Sequence, residues 1–159
     1  AAGNMYTGNY LRTEGTNGVL NFGKQFTQRP TRLKGYFKYT SVEINKSNDE
    51  MKYLIGQPDT CQIFIALGDW SEPVEIRTKP SDRKLFDKND PHIIAYADMY
   101  SGKSVTEYTP FTLELEYRDT DRITTYIVVV ASASKYGDYF TGGDGSVLFL
   151  DDFTLEYDY

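Results

Sequence analysis

The sequence has 159 residues, of which 17 are Lys or Arg and 23 are Asp or Glu, so its formal net charge at pH 7 is −6. This acidic balance argues against a nucleic-acid partner and against anionic membranes, because both need a basic surface. The length suits one domain, in which folding buries roughly 70% of the surface of the unfolded chain. No apolar run reaches the length of a membrane-spanning helix, so we expect no direct membrane insertion.

Strands dominate the predicted secondary structure. The chain contains 14 Tyr and 9 Phe with one Trp, and aromatic and β-branched residues favour pleated sheets. In chain order, strands are predicted over 18–22, 32–43, 62–67, 92–100, 111–117, 124–134 and 146–157. The segments 46–50 and 78–91 are predicted loops, the second with a short helical turn over 83–86 that Ser81 or Asp82 would cap.

Two of these strands carry informative patterns. The segment 111–117 alternates strictly between apolar and polar residues, which predicts a strand with one wet face. The run 127–130 is apolar on both faces and predicts a central strand that is covered on both sides. About eight strands with long connections favour an all-β fold, a two-sheet antiparallel jelly-roll sandwich formed by residues 1–159 as a single domain.

The most distinctive segment is rich in glycine, with four glycines in 137–145. It is not a phosphate-binding loop, because it lacks the Lys-Ser/Thr ending and joins two strands. We expect a tight connection that delivers the last strand. Within that strand, Asp151 and Asp152 interrupt the alternation and predict a β-bulge. Together with Asp144 they are also candidate oxygen ligands for a structural calcium ion.

Few residues are suited to catalysis. Glu114 and Glu116 would share one strand face about 7 Å apart, a separation that suits an inverting glycoside hydrolase. An ordinary solvated strand face accounts for the same pair. His92 is the one histidine and Cys61 the one cysteine, which argues against a nucleophile-histidine site and a zinc site and excludes an internal disulfide. The strand-like neighbours of Cys61 predict a buried, inert thiol.

Sugar recognition needs aromatic faces flanked by polar groups. Trp70 follows a predicted strand among turn residues, where an aromatic side chain is easily exposed. We therefore expect it to stack on a sugar ring. The candidate partners for sugar hydroxyls are Asp69, Tyr36, Tyr100 and Arg118. Packing in the core or at a sheet edge is the alternative for each aromatic residue.

Long stretches of the chain resemble the putative carbohydrate metabolism domain family. The resemblance is carried by RPTRLKGYFKY at 29–39, IFIAL at 63–67, FTLELEY at 111–117, ASASKYGDYFTG at 131–142 and GSVLFLDDFTLEY at 145–157. It covers roughly residues 5–157, and the part from 132 to 155 is its most specific section. The family offers no agreed catalytic residues to transfer to this chain.

The resemblance implies a C-terminal domain of a longer envelope or secreted protein from glycan-degrading gut bacteria, on the outer-membrane or periplasmic side. Its partners would be a glycan and an upstream domain of the same protein. We expect a non-catalytic carbohydrate-binding module. The alternatives are a glycoside hydrolase that uses a pair of carboxylates and a structural or adhesion domain without a sugar ligand.

Overall fold

A computed structural model describes residues 3–158 and is built almost entirely from strands. The strands are β1 (Asn4–Tyr6), β2 (Gly8–Glu14), β3 (Asn17–Phe22), β4 (Lys24–Gln25), β5 (Arg32–Thr40), β6 (Cys61–Gly68), β7 (Val74–Arg77), β8 (Ile93–Ser101), β9 (Val105–Glu114), β10 (Glu116–Tyr117), β11 (Tyr126–Ser132) and β12 (Val147–Glu156). Short 3-10 helices span Asp49–Leu54, Pro80–Asp82 and Gly137–Tyr139. No helix in this part of the chain is long and apolar enough to cross a membrane.

The strands form three antiparallel sheets. The large sheet has the order β1-β11-β6-β8-β10, and β4 also pairs with β11. The small sheet has the order β12-β5-β9, and a third sheet has the order β2-β3-β7. Because β5 pairs with β12 and β6 pairs with β11, the pairings are nested as in a jelly roll. The predicted all-β sandwich is confirmed, and the third sheet is an addition that the sequence patterns did not predict.

The large sheet is packed on both faces. Its main core lies against the small sheet, where Ile63, Ile65 and Val129 meet residues such as Leu33 and Leu113. The alternate residues of the same strands point to the opposite face and form a second core. This second core contains Phe22, Phe64, Ala66, Trp70, Ile76, Ile93, Val128 and Val130. The prediction that 127–130 is a central strand covered on both sides is therefore confirmed. Cys61 is also fully buried, as predicted.

The prediction of one continuous strand over 111–117 is wrong in one respect, because the chain changes from one sheet to another within this segment. β9 ends at Glu114 in the small sheet, and β10 pairs with β8 in the large sheet. At the crossing, the Leu115 amide donates to the Thr31 carbonyl oxygen at 3.0 Å. The side chain of Leu115 remains in the main core. Buried and exposed side chains therefore still alternate through 111–117, although the chain passes from the small sheet to the large sheet at Leu115.

The segment 78–91 also differs from its prediction. Its helical turn is at Pro80–Asp82 rather than over 83–86, and the preceding Lys79 makes no capping hydrogen bond through its side chain. Lys84 instead bridges to Arg77 of β7. Because this bridge requires extended backbone, it holds the next residues, Leu85 and Phe86, against the second core. The bulge predicted in the last strand is confirmed, since the register of β12 shifts between Asp151 and Thr154.

A buried carboxylate fixes the glycine-rich segment. Asp59 is 2% exposed and accepts hydrogen bonds from Ser134 Oγ at 2.6 Å, from the Gly143 amide at 2.8 Å and from the Thr60 amide at 2.9 Å. A Cβ on Gly142 would lie 2.6 Å from Ser134 Oγ, so only glycine fits without movement at this close approach. The segment is the tight connection to β12 that its composition predicts.

We expect Asp59→Ala to lower the free energy of unfolding by about 2–4 kcal/mol, because three donors lose their acceptor in a buried site. Urea denaturation monitored by fluorescence measures the change. Asp144→Ala is the matched control, since Asp144 is an exposed acid in the same segment. Equal stability of the Asp59→Ala variant and the parent protein would show that the carboxylate does not hold the segment.

Candidate functional site

An aromatic-lined cavity of about 220 Å³ opens on the face of the large sheet that points away from the small sheet. We call it the aromatic cleft. Its floor comes from β6, β8 and β11, and its walls come from β1, β3, the 78–91 segment and residues 135–139. The aromatic residues that line it are Tyr6, Phe22, Phe64, Phe86, Tyr96, Tyr100 and Tyr139.

The alternation of β8 places polar aromatics on the cleft side. Ala95, Ala97 and Met99 pack into the main core, so the residues between them face the other way. Tyr96 and Tyr100 line the cleft as a result. Small residues on the core side let the two sheets pack closely, and large residues on the cleft side leave a concave surface between their rings.

A carboxylate joins the two phenols. Tyr96 Oη donates to Asp98 Oδ2 at 3.0 Å, and Tyr100 Oη donates to the same oxygen at 3.3 Å. Gln62 Nε2 donates to Tyr100 Oη at 3.2 Å. Burial raises the pKa of both phenols, and the charge of Asp98 raises it further. Both phenols therefore stay protonated at neutral pH and keep their orientation as donors to Asp98.

Charged groups surround the rings. Lys88 and Lys135 line the cleft directly, and Lys135 Nζ lies 4.6 Å from the centroid of the Tyr100 ring. Arg118 lies over the Tyr96 ring at 5.5 Å. Asp138 is on the same 135–139 wall as Lys135, where burial raises the pKa of its carboxyl against the opposing charge of Arg83. The cleft therefore combines ring faces, hydroxyl groups and charges of both signs.

The structure brings Tyr100 and Arg118 together through Tyr96, but it separates the other predicted ligand-binding residues from them. The expectation that Trp70 is exposed is wrong, because its side chain is 7% exposed and belongs to the second core. Its indole N–H donates to Asp90 Oδ2 at 3.0 Å, and Phe86 contacts it edge to face. The tight turn after β6 directs the ring inward, over Gly68, so Trp70 offers no face to a sugar.

Asp69 belongs to an ion-pair cluster outside the aromatic cleft. Its carboxylate contacts His92 Nδ1 at 2.8 Å and Arg122 Nη1 at 3.1 Å. Arg122 also pairs with Asp119 at 3.1 Å. Burial opposes ionisation of Asp69, but the hydrogen bonds from His92 and Arg122 outweigh it and lower the pKa of this carboxyl. The cluster ties the end of β6 to the connections before β8 and β11.

Tyr36 lies on the outer face of the small sheet, on the opposite side of the domain from Tyr100. It is 42% exposed, and Tyr108 and Phe149 on the same sheet are exposed to a similar degree. Lys38 Nζ lies between the last two rings, at 4.9 Å and 4.6 Å from their centroids. This face is a second exposed aromatic surface, but it is not part of the cleft.

The two glutamates predicted as a weak catalytic pair are not brought together on one strand. Glu114 is in β9 of the small sheet and pairs with Arg32 at 3.2 Å. Glu116 is in β10 of the large sheet, opposite Tyr96. Both side chains are exposed, and neither lines a cavity found in the described chain. The separation expected for two residues of one strand therefore does not apply.

The predicted calcium ligands do not converge. Within residues 3–158, no group of three or more His, Cys, Asp or Glu is arranged to hold a metal ion. Asp151 is opposite Tyr36 in the small sheet, whereas Asp144 is in the glycine-rich segment, where its amide donates to Asn45. Asp152 has a positive φ of 52° at the bulge. A bulge alone accounts for the interruption of the last strand.

A larger cavity of about 460 Å³ lies beside the glycine-rich segment. It is lined mainly by small residues and backbone from 141–146, and Phe140 is its single aromatic residue. Lys46 and Asp144 are its charged residues. Because it has few groups that recognise a ligand, the aromatic cleft is the better candidate site.

Few of the residues that form the aromatic cleft were identified from the sequence. Tyr96 and Asp98 were available from the alternation of β8, since they precede Tyr100 at spacings of four and two. Phe86 and Lys88 had no such signal, because they come from a segment without regular structure. The 135–139 wall is part of the segment that the sequence predicts as a tight connection, and Tyr136 and Tyr139 within it are aromatic candidates for sugar contact.

The fold and the cleft define a β-sandwich domain with an aromatic-lined cleft on one face. The chain matches the model of the putative carbohydrate metabolism domain over residues 1–156. It therefore belongs to this family, as the resemblance of its sequence indicated. No curated protein matches the chain.

Two solved structures are similar to this chain in fold. One is a putative glycoside hydrolase from Bacteroides thetaiotaomicron, with a TM-score of 0.68, 22% identity and coverage of 90% of this chain and 47% of the other. The second is a putative glycoside hydrolase from Bacteroides vulgatus, with a TM-score of 0.66, 21% identity and coverage of 89% and 63%. The present chain thus spans about half to two thirds of the length of these proteins.

The partly buried Asp138 gives a pH-dependent prediction. Its pKa in the folded protein is above the ordinary value of 3.8, so ionisation is less favourable in the folded than in the unfolded chain. The resulting loss of stability is absent below pH 3.8, and it is complete once the pH exceeds the pKa of Asp138 in the folded protein. Asp138→Asn should therefore raise the free energy of unfolding at pH 7 relative to the parent protein, and this gain should disappear on acidification below 3.8. Urea unfolding at both pH values measures it, and a gain that grows with acidity would contradict the assignment.

Proposed function

We propose that this domain binds a glycan in the aromatic cleft without catalysing a reaction. The observation that carries the proposal is the row of Tyr96, Asp98 and Tyr100, which sets two phenol rings and a shared carboxylate at the edge of an aromatic-lined cavity. Aromatic rings complement the C–H faces of sugars, and oriented oxygen and amide groups complement their hydroxyls. The family of the chain supports carbohydrate as the class of ligand.

The size of the cleft supports a short ligand. Its volume of about 220 Å³ is below the range of about 300–1,000 Å³ that is typical of drug-sized ligands. One sugar unit, such as the end of a chain or a branch, fits this space better than a long polysaccharide segment. We expect a dissociation constant between millimolar and micromolar, which corresponds to about 4–8 kcal/mol.

The setting of the domain is also part of the proposal. We propose that it works in the cell envelope or outside the cell, as part of a longer glycan-utilisation protein and beside an upstream domain. The similar solved structures are longer than this chain, and both come from Bacteroides species, which supports this setting.

Replacement of Tyr100 tests the site. Tyr100→Ala removes a ring face and a hydroxyl from the cleft, so we expect the affinity for the bound glycan to fall by about tenfold or more, about 1.4 kcal/mol. A glycan array identifies the ligand, and isothermal titration calorimetry measures the affinity.

Tyr36→Ala is the matched control, because Tyr36 is exposed to nearly the same extent, 42% against 44%, on the opposite face. It should leave the affinity unchanged. Loss of binding in the Tyr36 variant alone would place the site on the small sheet. Absence of binding to any glycan would favour a structural or adhesion domain.

A second candidate function is glycoside hydrolysis, and one observation favours it. Asp138 is a carboxyl with a raised pKa in the wall of the cleft, which is the property of a general acid. Asp98 is a second carboxyl on the same side of the large sheet, next to phenols that line the cleft. A glycosidase needs two carboxyl groups that flank the scissile bond, and here Asp138 lines the cleft while Asp98 lies behind the phenols at its edge.

Turnover distinguishes the two functions. If the domain is a binding module, glycans bound in the cleft should remain intact on long incubation, as measured by mass spectrometry of the products. If it is a hydrolase, Asp138→Asn should abolish turnover while binding persists. Asp144→Asn, an exposed acid outside the cleft, is the control and should have no effect in either case.

A further inference from the structure

We infer that the glycan recognised by the aromatic cleft is acidic, with a uronate carboxylate or a sulfate ester placed among Lys88, Lys135 and Arg118. The inference rests on the proposed glycan-binding function of the same cleft. It adds the charge of the ligand, which the family of the chain does not specify.

Many basic side chains outside the cleft are neutralised by acids. Ion pairs join Arg12 to Glu14, Arg32 to Glu114 and Asp158, Lys34 to Glu156, Lys52 to Asp49, Arg77 to Glu75 and Asp82, Arg83 to Glu50, and Arg122 to Asp69 and Asp119. Lys88, Lys135 and Arg118 form no ion pair with any residue in 3–158, and several other basic residues such as Lys24, Lys38 and Lys103 form none either. Position sets the three apart, because Lys88 and Lys135 line the cleft and Arg118 lies over the Tyr96 ring at 5.5 Å. In a chain with net charge −6, two unpaired cations that line one cavity and a third over one of its rings form a local positive field.

The acids of the cleft compensate this field only in part. Asp98 accepts both phenol hydroxyls on one oxygen, so two charge-assisted hydrogen bonds already occupy that oxygen. Burial of Asp138 disfavours its charged form. Neither acid contacts one of the three cations as an ion pair. The positive groups therefore remain available to an incoming anion.

The position of Lys135 links charge to stacking. Its ammonium lies over the rings of Tyr100 at 4.6 Å and Tyr136 at 5.0 Å. A ligand that approaches this side of Tyr100 therefore meets the ammonium before it meets the ring. A neutral sugar would gain hydrogen bonds from the ammonium to its hydroxyl oxygens but no charge pairing, and it would lose part of the stacking surface. A sugar with an anionic substituent can contact the ammonium with its charge and a neighbouring ring with its C–H face.

A carboxylate and a sulfate ester share the chemistry that these cations recognise, and matched probes separate them. The first pair of probes is oligogalacturonate and the same oligosaccharide after reduction of its carboxylates to alcohols. The second pair is a chondroitin sulfate oligosaccharide and its chemically desulfated form. Titration calorimetry with the intact domain measures binding of all four probes.

We expect the acidic member of at least one pair to bind at least tenfold more tightly than its neutral counterpart. The preference should weaken as salt is added, because screening acts on charge pairs near the surface. Lys135→Gln should remove most of the preference, and Lys135→Arg should retain it. Lys38→Gln is the matched control, since Lys38 also lies over two aromatic rings but on the opposite face of the domain.

The outcomes separate this inference from the function on which it rests. Equal binding of both members of each pair, or tighter binding of neutral glycans that still depends on Tyr100, would overturn the inference and leave the proposed function intact. Preference for an acidic probe that survives Lys135→Gln but is lost in Lys38→Gln would also overturn it. Absence of binding to acidic and neutral glycans alike would overturn both. Thermal unfolding of each variant confirms that it is folded.

Discussion

The central strands β6 and β11 have apolar residues on both faces, and both faces must be covered. The small sheet covers one face with a regular layer, since β5, β9 and β12 are long enough to span it. The other face is covered by a patchwork of short strands, Trp70 and the loop residues Leu85 and Phe86. A patchwork of this kind leaves gaps where its parts do not meet. The aromatic cleft is such a gap, bounded by large rings that cover apolar surface and still expose polar atoms.

The residues of β8 show how one strand serves both layers. Its alanines are directed into the main core, where close sheet packing leaves little room. Its tyrosines are directed to the cleft, where each ring buries apolar area and keeps its hydroxyl bonded to Asp98. Removing either phenol would leave Asp98 with fewer donors, which carries a cost for a half-buried carboxylate. The cleft is therefore held in shape by the same hydrogen bonds that make it polar.

Sequence patterns predicted the parts of this structure that follow from the alternation of apolar and polar side chains along a strand. The two-sided burial of 127–130, the bulge at Asp151 and the sandwich class all follow from which residues alternate and where the alternation stops. The change of sheet at Leu115 was not predictable, because burial continues to alternate through it. The inward turn of Trp70 was missed for a related reason. A turn sequence specifies tight backbone but not whether the following ring points to solvent or to a core formed by a distant loop.

The buried Asp59 has a consequence for the cleft that lies beyond stability. One of its oxygens binds both Ser134 Oγ and the Gly143 amide, and these two residues flank the stretch that carries Lys135, Asp138 and Tyr139. The carboxylate thus closes this stretch into a loop whose ends are fixed before any ligand arrives. Fixing the ends of a loop removes conformational entropy that binding would otherwise have to remove. An acid on the far side of the wall therefore helps to preorganise the groups that meet the ligand, although it never touches the ligand itself.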